Sequence, residues 1–134
     1  MNEKEIIGVI FIIEYNGRFL LEQRDDGSRL SKWSWVIPGG SKDSGEQPAD
    51  TVVREAKEEF GINLDINTCK KITTITNPFK EGSNEIWYST LSKLPKPLIV
   101  SESGGAGWFT LDEINKMELG YSQSEFIIDV MNSV

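Results

Sequence analysis

The chain has no histidine among its 134 residues. That absence removes Ser-His-Asp and Cys-His nucleophilic systems and the commonest nitrogen ligand for zinc. There is one cysteine, Cys69, so no internal disulfide can form, which fits a reducing compartment. Long apolar runs are missing as well. The longest, Ile6 to Ile13, is interrupted by Gly8 and falls far short of the roughly 20 residues that cross a bilayer. The start Met1-Asn2-Glu3-Lys4-Glu5 lacks the basic and apolar segments of a secretory signal, so the cytoplasm is the expected location. Positive charge is scarce: 14 basic residues against 21 acidic ones give a net charge of -7, which repels nucleic acid and anionic membranes. Neither a polynucleotide nor a membrane is an expected partner. Catalysis, if there is any, must run on carboxylates, hydroxyls, amines or a bound metal.

What is present suits one ordinary domain over residues 1–134, with 38% hydrophobic content for a single core. Ile6 to Glu14 and Arg18 to Gln23 flank Asn16-Gly17, a strong hairpin signal. A polar loop, Asp25 to Ser34, leads to Trp35-Val36-Ile37 and a turn at Pro38-Gly39-Gly40. A helix is predicted between Pro48, suited to a first turn, and Gly61, suited to a stop, with Ala49, Val53, Ala56 and Phe60 as its buried stripe. Strands are expected at Lys71–Thr76, Glu85–Leu91 and Gly107–Thr110, with Leu94-Pro95-Lys96-Pro97 a rigid connection between the last two. A short helix over Leu111–Lys116 and a terminal one over Ser122–Met131, with Phe126, Ile127 and Val130 inward, complete the chain. The grouping points to an α+β domain with a mixed sheet between helices, an α/β/α layering.

On the predicted helix Glu55, Glu58 and Glu59 stand three and four residues apart, which brings three carboxylates into one small volume. Arg54 compensates one charge and Lys57 points elsewhere. Such a face is often merely solvated, but hard divalent cations prefer oxygen ligands and would neutralise the excess. Gly40, Glu46 and the run Arg54-Glu55-Ala56-Lys57-Glu58-Glu59-Phe60-Gly61-Ile62 together resemble the Nudix box, the signature of the Nudix hydrolases. The segments Phe19–Arg24, Trp35–Gly40 and Trp108–Ile114 resemble family patterns too.

The resemblance implies a Nudix fold and a MutT-like pyrophosphohydrolase that needs Mg²⁺ or Mn²⁺, more than one ion during turnover. It implies that Glu58 and Glu59 are the main metal ligands, that Glu55 is a further ligand or activates water, and that the Gly40 carbonyl adds a ligand. Arg54 would hold Glu55, and Glu46 would support the box. Glu102, six residues before Trp108, is the candidate extra ligand or general base, with Glu85 the runner-up.

The expected partner is a small nucleotide-like diphosphate. Arg24 is the candidate phosphate contact, because arginine matches phosphate geometry. Trp33, Phe79, Trp87 and Tyr88 could stack a base, although strand aromatics more often fill cores, and Trp87 and Tyr88 fall on opposite faces. Trp35 is a further substrate-binding candidate. Pro78 resembles, on one residue, a proline of ADP-ribose pyrophosphatases in the family, so nucleoside triphosphates, ADP-ribose and nucleotide sugars all stay open. The competing class is a non-catalytic Nudix-fold binding module, which usually loses box carboxylates that this chain keeps. Monomer and homodimer are both open.

Overall fold

A computed structural model describes residues 5–24, 34–77, 79–94 and 104–134. Glu102, Trp33, Pro78 and the Pro95-Lys96-Pro97 connection lie outside the described residues. Strands β1 (Ile6–Tyr15) and β2 (Arg18–Gln23) form the expected hairpin, with Glu14 opposite Phe19 and Tyr15 opposite Arg18. Asn16 and Gly17 both have positive φ, 49° and 79°, as a tight turn matched to strand twist requires.

The remaining strands are β3 (Trp35–Val36), β4 (Gly39–Ser41), β5 (Lys70–Thr76), β6 (Ser83–Thr90) and β7 (Gly105–Thr110). The sheet runs β3-β2-β1-β6-β5, with β4 added to β1 and β7 to β2. Among the described residues only the long β1–β6 pairing is parallel, so the sheet is mixed, as expected. The segment predicted as a turn at Gly39-Gly40 is instead strand: Val9 stands opposite Gly40 and Ile10 opposite Gly39.

Helix α1 (Pro48–Phe60) covers one face of the sheet. Pro48 occupies its first turn, the Gln47 N–H donates to Asp50 Oδ2 at 3.3 Å, and Gly61 closes it at φ 68°. Val52, Ala56 and Phe60 are its fully buried stripe, packed on Val9, Phe11, Ile13 and Leu20. Ala56 and Phe60 are buried as predicted and Val53 packs partly against the same cluster, while Val52 joins the stripe and Ala49 is only partly covered. Each such large side chain taken from water contributes about 1.5–3 kcal/mol.

The opposite face carries Ile10, Ile12, Phe19, Leu21 and Ile86, capped by α2 (Leu111–Asn115) and α3 (Ile127–Asn132). The α3 helix starts five residues later than the predicted Ser122. Tyr121 and Ser122 are left-handed, at φ 56° and 59°, and the buried Gln123 spends its carboxamide on Ile37, accepting from its N–H at 2.7 Å and donating to its carbonyl at 3.3 Å. This side-chain tie to the backbone just after β3 holds the segment in a single short helical turn apart from α3. No helix among the described residues is long and apolar enough to cross a membrane.

Candidate active site

Arg54 is the hub of the carboxylate helix. Its Nε and Nη2 donate to the two oxygens of Glu46 at 2.7 and 3.0 Å, a bidentate pair, and Nη2 also reaches the Ser41 carbonyl at 3.0 Å. Nη1 donates to Glu55 at 2.9 Å and to Glu58 at 3.2 Å. Glu46 also accepts from Thr51 Oγ1 at 2.8 Å and from the Asp43 N–H at 3.0 Å. The Arg54 bond, ahead of the Asp43 N–H, holds the Glu46 carboxyl down at about 2. The same bond raises the guanidinium pKa further. With a quarter of its side chain exposed, Arg54 is more enclosed than a surface ion pair.

The three box glutamates separate by depth. Glu58 is 59% exposed, whereas Glu55 is 13% exposed and packs against Gly40. A Cβ at Gly40 would come within 2.7 Å of Glu55 Oε2, so only glycine leaves the carboxyl that position. Burial raises the Glu55 pKa against the opposing pull of Arg54. Glu59 lies deeper, and its Oε2 is buried without a hydrogen-bond partner.

Across from Glu59 stands Glu22 of β2, 6% exposed, a residue the sequence reading did not single out as functional. Strand alternation carried the signal: Glu22 is two residues from Leu20, which packs into the α1 core, so a glutamate there must point inward. Burial first, then the charges of Glu22 and Glu55, push the Glu59 carboxyl up to about 9.

Among the described residues no three carboxylates or thiols are already drawn into an ion cage, since Arg54 holds Glu55 and Glu58 to its own side. The donor set nonetheless fits a hard divalent cation. Facing carboxyls that would repel if ionised, and one buried oxygen left unsatisfied, are neutralised either by protons or by a cation.

This has a pH signature. The raised Glu59 carboxyl stabilises the metal-free fold below its unfolded value near 4.5, and that contribution is lost as pH rises toward about 9. Glu46 acts oppositely: its contribution is present above about 4.5 and lost as pH falls toward about 2. Melting temperature in chelator is therefore expected to peak near pH 5 and decline into the alkaline range, with millimolar Mg²⁺ reducing the decline. A metal-free protein that grows steadily more stable up to pH 9 would contradict the Glu59 environment.

The other candidates divide in two groups. Arg24 and Phe79 line one cavity of about 460 Å³ that also touches Glu22 and Gly40. Tyr121, absent from the sequence-based candidates, joins them: its ring lies 4.8 Å from Arg24 Cζ and 5.6 Å, edge-on, from Phe79. No local pattern marks it, since it sits in an irregular turn.

Trp35 does not line this cavity and packs edge-on against Phe109 at 5.0 Å, because its position on β3 turns the ring into the α2/α3 core. Trp87 packs on the α1 side and Tyr88 on the other, its hydroxyl donating to Glu14 at 2.5 Å. Glu85 is buried but occupied, accepting from Trp87 Nε1 at 2.9 Å and paired with Lys71 at 3.4 Å.

A Nudix hydrolase of Bacillus subtilis, YvcI, is 29% identical over 103 residues, covering 72% of this chain and 63% of that protein. The chain thus spans less than two thirds of that relative's length. An 8-oxo-dGTP diphosphatase of Proteus vulgaris is 28% identical over 82 residues, 60% of this chain and 70% of the relative. The crystal structure of a MutT/nudix family protein from Enterococcus faecalis superposes with a TM-score of 0.80 at 23% identity, covering all of this chain and 63% of that one, which establishes the fold. Since the NUDIX domain family also matches residues 4–130, nearly the whole sequence, the chain belongs to the Nudix family.

Proposed function

We propose that this protein is a divalent-metal-dependent pyrophosphohydrolase that cleaves a diphosphate linkage in a nucleoside diphosphate joined to a further group, by attack of water at phosphorus. The observation that carries the reading is the unsatisfied Glu59 oxygen, facing Glu22 and Glu55 beside Gly40. In this reading Glu58, Glu59, Glu55 and the Gly40 carbonyl hold Mg²⁺ or Mn²⁺. The chemistry bound ions supply is a lower pKa for water and neutralised phosphate oxygens.

The remaining work falls to the chain. Glu46 anchors Arg54, Arg54 orients Glu55, and Glu55 or Glu102 takes the proton of the attacking water. The new water-oxygen-to-phosphorus bond replaces the anhydride bond, releasing a nucleoside monophosphate with diphosphate or a phosphorylated group. Arg24 meets phosphate and Phe79 meets the base. The whole chain acts as one domain, in the cytoplasm. The 8-oxo-dGTP diphosphatase relative favours triphosphates first, with ADP-ribose and nucleotide sugars next.

The test is chromatographic. Purified protein is incubated with Mg²⁺ or Mn²⁺ and normal and oxidised nucleoside triphosphates, ADP-ribose, nucleotide sugars and dinucleoside polyphosphates. Cleavage of one class, lost in chelator and reduced by orders of magnitude in Glu58→Gln, is expected. A folded protein that cleaves none of them overturns the proposal.

A further inference from the structure

Arg24 and Tyr121 are far apart in the chain but are tethered to the same short stretch of backbone. Arg24 follows β2, whose last residue Gln23 stands opposite Trp35 of β3, and the Arg24 N–H donates to the Ser34 carbonyl at 2.8 Å. The turn that carries Tyr121 is tied to that stretch on each side. The Gly120 N–H donates to the Trp35 carbonyl at 3.0 Å, and the Gln123 carboxamide exchanges two hydrogen bonds with the Ile37 backbone, at 2.7 and 3.3 Å. Residues 34–37 therefore set the distance between the two side chains.

Held this way, the guanidinium lies over the ring, with Arg24 Cζ 4.8 Å from the Tyr121 centroid. Phe79 braces the ring edge-on at 5.6 Å, and the Asn77 side chain fixes the Phe79 loop by accepting the N–H groups of Phe79 and Lys80 at 2.8 and 2.9 Å. Tyr121 is left-handed at φ 56° and Ser122 follows at 59°. Such backbone is strained in non-glycine residues, persists only where its surroundings impose it, and clusters at ligand clamps. Here the strained turn brings the ring to Arg24. Arg24, Tyr121 and Phe79 all line the cavity that touches Glu22 and Gly40, so the guanidinium is held at the edge of the carboxylate site.

We propose that Tyr121 is a positioning residue, whose ring holds the Arg24 guanidinium in the orientation that meets a phosphate; this rests on the hydrolase reading above. A loose arginine side chain gives up its rotamer freedom when it binds, whereas one already laid on a ring has given it up beforehand. Stacking engages the flat face of a guanidinium and not the N–H groups in its plane, which match phosphate oxygens in pairs. An aliphatic side chain at position 121 would offer no electron-rich face.

Binding of imidodiphosphate, a non-hydrolysable diphosphate, is measured by calorimetry on the full-length protein in Mg²⁺. Tyr121→Leu is expected to weaken it about 3- to 30-fold, and Tyr121→Phe to keep it within about twofold, since the ring and not the hydroxyl does the holding. Arg24→Ala should weaken binding at least as much, and Tyr121→Leu should add nothing in the Arg24→Ala background. A general loosening of the turn would instead weaken binding with or without Arg24. The native chain supplies a test that needs no variant: the Arg24 side-chain protons, lying over a ring face, should resonate upfield of ordinary arginine values. Native affinity in Tyr121→Leu, lost affinity in Tyr121→Phe, a further loss on top of Arg24→Ala, or ordinary Arg24 resonances overturn the proposal. If Arg24→Ala still binds more weakly than the native chain, the phosphate role of Arg24 in the hydrolase reading survives that failure. Equal binding by the native chain and Arg24→Ala removes that role and the positioning with it, while hydrolysis and its dependence on Glu58 are untouched.

Discussion

Glu59→Gln is expected to lower turnover by about a thousandfold or more without unfolding the protein. A carboxylate that holds a cation against the reacting phosphate contributes several kcal/mol of charge stabilisation, and each 1.36 kcal/mol is about tenfold in rate. Glutamine keeps the shape and removes the charge. In the metal-free protein the Glu59 carboxyl is already pushed toward its neutral form by burial and by Glu22 and Glu55. The uncharged amide should therefore leave metal-free melting unchanged or raise it. What should vanish is the rise in melting temperature on adding Mg²⁺, since a ligand stabilises only the state that binds it. Near-normal turnover together with a preserved Mg²⁺-dependent shift would sink the metal assignment.

Loss of Arg54 should have the largest effect on stability. Arg54→Ala leaves Glu46 without its bidentate partner and leaves Glu55 and Glu58 without the group that spans them. Breaking such a partly enclosed network should cost on the order of 1–2 kcal/mol, because Glu46 keeps its charge and loses its charge-assisted bonds. Arg54→Lys should rescue little of it, since one ammonium cannot serve the Glu46 oxygens, the Ser41 carbonyl and Glu55 in one plane. Glu46→Gln combined with Arg54→Ala should cost less than the two changes summed, as the orphaned carboxylate is then gone. Denaturant unfolding of the native protein and the four variants, Glu46→Gln alone among them, checks this. If Arg54→Ala and native protein share one midpoint, Arg54 is only a surface ion pair of little worth.

The local parts of this protein were legible in its residues. Asn16-Gly17 specified the hairpin, Pro48 and Gly61 bounded α1, and the spacing of Glu55, Glu58 and Glu59 placed them on neighbouring turns. These follow from backbone sterics and helix geometry, which act within a few residues. The same periodicity placed Trp87 and Tyr88 on opposite faces, because strand alternation is equally local.

The depth of each glutamate was not legible. Spacing alone made three equivalent carboxylates, and only the seating of α1 on β1, β2 and β4 turned Glu59 toward Glu22, set Glu55 on Gly40 and left Glu58 outside. Glu85 looked available until β5 and its own strand supplied Lys71 and Trp87 to occupy it. Trp35 went to the core, and Tyr121, far along the chain, came to stand beside Phe79 and Arg24. The sequence by itself determined most of the elements, the alternation of faces along each and the set of carboxylates, because these depend on neighbours in the chain. Tertiary structure alone decided which of those groups meet, because burial and charge depend on residues brought together across the sheet, and periodicity carries no information about which strand arrives opposite.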